Sequence, residues 1–354
     1  AGLWGLVRLC PTSPQWQVRC VRASAGGKRG TQCRMKFKAV IENEGIGGAS
    51  QGMVLHVLQA LQRLERAAGR PIGVDRRGGA TAPASVVMKL TQEAFALCHR
   101  AGADEGSQTW SHFQVGRLFR EYRIESKRGN KIDLEAPIAN LVHVFHSCAT
   151  SERTTLKLAN GRDGRPVLGV EFSLAGTVAD HRVDQEVPVR VIPESEADAI
   201  CEPALPEPEY QIELPPNLAR LKNVLDKMRA VGAQHVAVEA AQEKAPPPGS
   251  ASSAISGARL TARLRLAAEA ELVTIASTFP ALALVMEGKN GPSPEGPVQL
   301  HLSLRRLEQV LAAFQLVSAE AHIACVLEGR ALVLYALLPQ GLGSLISYTP
   351  AVLA

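Results

Sequence analysis

The stretch from Val187 to Met228, VPVRVIPESEADAICEPALPEPEYQIELPPNLARLKNVLDKM, constrains the fold more than any other part of the chain. It runs from an apolar strand through an acidic, proline-containing connector to a second strand, and then to a helix carrying Arg and Lys. A strand on each side of a connector predicts two similar units joined edge to edge. A basic helix directly after the second strand predicts a surface that meets a polyanion. No catalytic motif falls within it.

The pattern on either side of the connector repeats. In the first half, MKFKAVI from Met35 alternates as a strand, and Gln51 to Ala68 has apolar residues at helical spacing, with Ser50 as cap and Gly69 as stop. Short strands follow at Val86–Leu90, Trp110–Val115 and Glu121–Ser126, while Thr91–Arg100 reads as either a short helix or a loop. A second helix spans Pro137–Ala149 with proline in its first turn. Strands follow at Thr154–Leu158, Val167–Leu174 and Val187–Ile192. Residues 193–209 hold six acids and no Lys or Arg, and read as an interdomain connector.

The order then restarts. Tyr210–Leu214 reads as a strand and Pro216–Val231 as a helix. His235–Ala240, Ala258–Ala267, Glu271–Thr278 and Val298–Leu302 read as strands, Ser303–Leu316 as a helix, and His322–Leu327, Ala331–Leu337 and Leu345–Tyr348 as strands. Residues 243–257 and 288–297 are Pro-, Gly- and Ser-rich loops. The repeat predicts an α+β fold of two topologically similar domains, each with two helices packed on antiparallel sheet. The boundaries are 35–192 for the first domain, 193–209 for the connector and 210–354 for the second.

The chain has a formal net charge of +5. Residues 1–34 contain Arg8, Arg19, Arg22, Lys28, Arg29 and Arg34 and no acid, which leaves residues 35–354 with a net charge of −1. That leader reads as a disordered or non-native extension ahead of MKFKAVI; a targeting signal is the other reading of its composition. Any polyanion-facing charge in the body must therefore be local. No apolar run approaches the roughly 20 residues that span a bilayer, so no membrane partner is expected. Seven scattered cysteines without CxxC or zinc spacing fit a reducing compartment such as cytosol or nucleus.

The motifs of common catalytic and cofactor sites are missing. There is no GxxxxGK[ST], and GIGGAS at 45–50 lacks the GxGxxG order. There is no GxSxG, and His143 and His146, three apart on one helix, lack an HExxH context. Neither cofactor nor metal is expected. Three of the four long helices instead carry cations on their polar faces: Arg63, Arg66 and Arg70 on the first; Arg220, Lys222, Lys227 and Arg229 on the third; Arg305 and Arg306 on the fourth. Cations recurring at matching places in a repeat, on a nearly neutral body, fit a surface that tracks phosphates without reading bases. An aromatic content of 4% argues against stacking of single strands.

Several segments together resemble the Hus-one family: MKFKAVI, IDLEAPIANLVHVF followed by LKLANGRDGRPVLGVEFSL, VPVRVIP with CEP and IELPPNLARLKNVLDKM, and ISYTPAVL near the end. That family is a subunit of the nine-one-one checkpoint clamp and a relative of the replicative sliding clamp. The resemblance implies the DNA-clamp fold, with helices facing a central channel and sheets outside. It further implies a heterotrimeric ring with Rad-nine-like and Rad-one-like subunits, placed by a checkpoint clamp loader on double-stranded DNA that passes through the channel. Such a ring supports checkpoint signalling in the nucleus and is a platform for repair enzymes, without being an enzyme itself. The family's second helix usually presents Lys or Arg; here Asn140, His143 and His146 stand on its polar face. Residues 71–112 and the two Pro/Gly loops have no clear counterpart. A homotrimeric processivity clamp is the alternative reading, and an α+β enzyme with a hidden site is a third.

Overall fold

The first half is built from β1 (Lys36–Glu42), α1 (Ala49–Ala67), β2 (Ser85–Leu90), β3 (Ala94–Arg100), β4 (Gln108–Gln114), α2 (Val115–Leu118), β5 (Glu121–Glu125), β6 (Ile132–Pro137), α3 (Ile138–Cys148), β7 (Arg153–Asn160), β8 (Pro166–Ser173) and β9 (Arg182–Pro188). A short strand β10 (Arg190–Val191) and a one-turn helix α4 (Glu194–Ala197) lead into the second half. That half comprises β11 (Tyr210–Glu213), α5 (Ala219–Ala230), β12 (His235–Gln242), β13 (Thr261–Glu269), β14 (Thr274–Ala283), β15 (Val298–Ser303), α6 (Leu304–Phe314), β16 (Ala321–Leu327), β17 (Ala331–Leu338) and β18 (Gly343–Pro350). This computed structural model describes residues 35–42, 49–67, 84–100, 107–173, 182–243, 261–285 and 296–352. The basic leader, residues 45–48 of the GIGGAS turn, Gly69, Arg70 and most of both Pro/Gly loops lie outside the described residues.

All strand pairs are antiparallel, and they form three sheets. Their orders are β5-β1-β7-β8-β9, then β10-β6-β2-β3-β4-β18-β17-β16-β11, then β14-β13-β12-β15. The duplication is visible in these orders. The run β1-β7-β8-β9 is repeated by β11-β16-β17-β18, and β6-β2-β3-β4 by β15-β12-β13-β14. The nine-stranded sheet takes one run from each half and joins them where β4 pairs with β18.

That seam depends on one glycine. Gly343, opposite Phe113, has φ +152°, and a Cβ placed there would sit 1.8 Å from the His112 carbonyl oxygen. Only a residue without Cβ lets the two backbones approach this closely. On the buried face of the seam, Thr109 and Ser347 hydroxyls bond each other at 3.2 Å.

Several segments differ from their sequence expectation. Thr91–Arg100 contains a strand, because Phe95 and Leu97 face the helices while Cys98 faces the opposite side of the sheet. Val187–Ile192 is not one strand: the chain leaves the five-stranded sheet after Pro188 and enters the nine-stranded sheet at Arg190. Ser50 lies inside α1 rather than capping it.

The connector is also more than a linker. Ala197 and Ile200 are buried with Cys98, Trp110, Cys325 and Tyr348 in a second apolar cluster, on the face of the nine-stranded sheet turned away from the helices. Its acids find cations outside the connector. Arg190 binds both Glu196 oxygens at 2.8 and 2.6 Å and Glu135 at 2.7 Å. Arg128 reaches Asp133, Glu194 and Asp198, and Lys89 donates to the carbonyls of Ala197 and Ile200.

Candidate nucleic-acid interface

The four long helices stand side by side in the order α3, α1, α6, α5. Each has one apolar stripe pressed on the sheets, so its polar stripe is left as a continuous outer surface. In α1 the buried stripe is Met53, Val54, Val57, Leu58, Leu61 and Leu64; in α5 it is Leu221, Leu225 and Met228; in α6 it is Leu304, Leu307, Val310, Leu311 and Phe314. A buried pair adds a polar tie under α1, where His99 Nε2 of β3 lies 2.6 Å from Glu65 Oε2, both nearly inaccessible. Tying helix to sheet in this way fixes the direction in which Arg63 and Arg66 leave the surface.

The nine predicted cations separate into groups. Arg63, Arg66, Arg220 and Lys227 are exposed and make no ion pair among the described residues. Arg70 lies outside the described residues. Lys222 is half-buried and bound to Asp226, and Arg229 is bound to Glu308. Arg305 donates to the Ala67 carbonyl at 3.3 Å, as does the Gln309 side-chain amide at 3.0 Å. These two α6 side chains cap the C-terminal end of α1, where a backbone acceptor would otherwise lack a partner. Arg306 is half-buried and engaged. Of the nine DNA-facing candidates, four are therefore exposed without an ion pair among the described residues and four are engaged within the protein. Neighbouring helices supply acids and carbonyls that helical periodicity within one segment does not reveal. Glu308 and Gln309 were the residues missed; both sit on α6 at positions that look like ordinary polar spacing.

On α3, Asn140, His143 and His146 are exposed, and the helix has no Lys or Arg. No group of three or more metal-ligating side chains occurs among the described residues. Burial pushes the thiols of Cys98 and Cys325 up to about 12, which leaves them protonated and unreactive at neutral pH.

The anchor of the connector is Glu202. Its carboxylate meets His112 Nε2 at 3.0 Å and accepts from the Tyr348 hydroxyl. Burial works to raise its pKa, but these hydrogen bonds and the His112 charge outweigh burial and hold it below the ordinary glutamate value. A carboxylate depressed in the folded state contributes stability above its ordinary pKa, and that stability is lost as pH falls through the folded value. Hydrogen exchange at connector amides 197–202 is thus expected to speed up selectively as pH drops below about 4.5, after correction for intrinsic rates. Glu202→Gln should flatten this dependence. An equal pH response in that variant would place the control elsewhere.

With this layer in view, comparison with known proteins is decisive. A family profile described as Hus1-like protein matches residues 82–353. The chain belongs to the Hus1-like family. The matched range includes β2, β3 and most of the region from 71 to 112. Checkpoint protein hus1 of Schizosaccharomyces pombe is 27% identical over 241 residues, covering 65% of this chain and 76% of that protein. Human checkpoint protein HUS1 is 28% identical over 228 residues, covering 62% and 73%. Among solved structures, the PCNA2-PCNA3 complex from Sulfolobus tokodaii matches with a TM-score of 0.55 at 12% identity, covering 89% of this chain and 98% of that one. At such low identity this last match speaks to the fold, and the fold is that of a sliding clamp. Family and fold agree on a checkpoint sliding-clamp subunit.

Proposed function

We propose that this chain closes a heterotrimeric ring with Rad-nine-like and Rad-one-like subunits around duplex DNA at damage sites. In this reading it works in the nucleus as a scaffold rather than a catalyst, is placed by a checkpoint clamp loader and serves repair enzymes as a platform. Residues 35–192 and 210–354 are its two domains, with 193–209 as the connector, and the helix layer lines the channel. Arg63, Arg66, Arg220 and Lys227 meet phosphates there, joined by Arg70. Membership in a checkpoint family favours mixed partners over a homotrimer.

The observation that carries this reading is the seam between β4 and β18. The duplication makes β14 the counterpart of β4, and β9 the counterpart of β18. Within the chain the first pair is joined; β9 and β14 are each left at the edge of a sheet. The unfinished edges are the same two elements that already know how to pair, so a neighbour's β9-like strand completes β14 and the reverse. Composition agrees: β14, TIASTFPALA, is ten residues long, half exposed with no residue fully buried, and without a single charge. An uncharged edge of that length invites pairing, and a partner would cover it. The pairing has a limit at Pro280 and Ala281 (φ +54°), beyond which the strand turns toward β11 and bridges Ile212 through Leu284.

Co-expression with two partner clamp subunits is expected to yield a ring with one copy of each, measured by light scattering and mass spectrometry of the intact complex. A stable closed homotrimer of this chain alone would sink the heterotrimeric reading. Ser277→Pro and Thr278→Pro test the edge. Successive amides point to opposite sides of a strand, so one of these variants removes an outward donor. That variant should keep its circular dichroism and melting behaviour while losing ring assembly. Assembly retained in both would remove β14 as the closing edge.

A further inference from the structure

Two carboxylates and two cations meet where α5 packs on α6. Lys222 Nζ lies 3.0 and 2.7 Å from the two Asp226 oxygens, one turn along its own helix. Arg229 Nη1 donates to both Glu308 oxygens at 3.1 and 2.8 Å, and Lys222 Nζ is 3.9 Å from Glu308 Oε1. The Glu308 side chain is 13% exposed, whereas that of Arg229 is 60% exposed. Glu308 is therefore seated in the helix layer, and the flexible cation comes to it. The Lys222 hydrogen bond, aided by the Lys222 charge, holds Asp226 below the usual carboxylate range against the effect of its partial burial, so Asp226 faces Lys222 as a carboxylate at neutral pH.

The consequence is a helix that offers less charge than it contains. α5 has four cations and one acid of its own. With Glu308 added from α6, Arg220 and Lys227 are the α5 cations that have no ion-pair partner among the described residues. A phosphate approaching Arg229 must displace a two-oxygen contact to a fixed carboxylate.

We propose that Glu308 is a positioning residue that withholds Arg229, and together with Asp226 also Lys222, from phosphate, and so sets how weakly the helix layer holds DNA. This rests on the DNA-encircling reading above. Each phosphate contact adds about 0.9 to the salt slope of binding, equivalent to about 3-fold in affinity between roughly 50 and 200 mM salt. A closed ring is retained by its topology and gains nothing from tight contacts, while every added contact must be broken at each step along the duplex. An acid built into a basic layer thus serves mobility.

The test uses the ring assembled with its partner subunits and a linear duplex oligonucleotide, followed by fluorescence anisotropy across a salt series. Glu308→Gln is expected to bind about 3- to 10-fold tighter than wild type, with a salt slope steeper by about 1 to 2. Adding Arg229→Gln to that variant should remove most of the gain. Arg229→Gln alone, at an exposed position that assembly should tolerate, is expected to leave affinity unchanged, whereas Arg220→Gln should weaken it about 3-fold. If Glu308→Gln fails to assemble, the Arg229 and Arg220 comparison decides. Equal losses in Arg229→Gln and Arg220→Gln, or a Glu308→Gln ring identical to wild type, overturn the proposal while leaving DNA binding by the layer intact. Binding unmoved by Arg220→Gln as well removes the reading on which it rests.

Discussion

Gly343→Ala is expected to be among the most damaging single substitutions in this protein. The new Cβ would sit 1.8 Å from the His112 carbonyl oxygen and 2.8 Å from its carbon, both backbone atoms that cannot swing aside. The φ of +152° is a conformation that alanine avoids. Overpacking and backbone strain together cost on the order of 3–6 kcal/mol, against a total stability of about 5–15 kcal/mol for a typical native protein. The damage falls on the pairing that joins the two halves, so the seam must splay or the chain must shift register. Thermal unfolding should show a loss on the order of 5–10 °C, with much reduced soluble yield. Gly341→Ala is the control: its φ is +66°, but nothing lies within 4 Å of the added Cβ, so it should cost only about 1 kcal/mol. Equal effects of the two substitutions would show that close approach at the seam is not what Gly343 provides.

The second large effect is electrostatic. Reversing Arg63, Arg66, Arg220 and Lys227 together to glutamate in the assembled ring should lower its affinity for duplex DNA by roughly 10²-fold or more at physiological salt, and flatten the salt slope by about 3 to 4. The four are exposed and free of ion pairs among the described residues, so the fold should lose little and assembly should persist. Reversing the same number of already paired cations would confound the result by breaking contacts between helices. An unchanged salt slope with the ring intact would move the DNA contact off this helix layer.

Much of this architecture was readable from residue order because its signals are local. Alternation in MKFKAVI, and the spacing of Leu221, Leu225 and Met228, follow from how successive side chains leave a strand or a helix. The restart at Tyr210 needs only the order of such patterns. The breaks were harder to see. Val189 looks like the middle of one alternating strand, VPVRVI, and only the competition between two sheets for its neighbours divides that strand in two. Thr91–Arg100 was ambiguous because both faces of β3 are buried, which removes the alternation that marks a half-exposed strand. The acidic connector was visible, but its docking was not: its cations, Lys89, Arg128 and Arg190, belong to strands and a turn of the first half.

For the site, sequence alone determined which helices carry cations and which stripe of each is buried, because periodicity fixes directions about a helix axis. It also showed that the body is nearly neutral once the leader's charge is set aside, so any DNA-binding basicity has to be local. Tertiary structure decided which of those cations are available. Arg229 is occupied by Glu308, 79 residues away, and Arg305 by the end of a helix 238 residues away. Coulomb pairing depends on distance in space, not along the chain. Within α5 only the Lys222–Asp226 pair, one turn apart, can be read from the helix itself; nothing in α5 shows that Arg229 is already engaged.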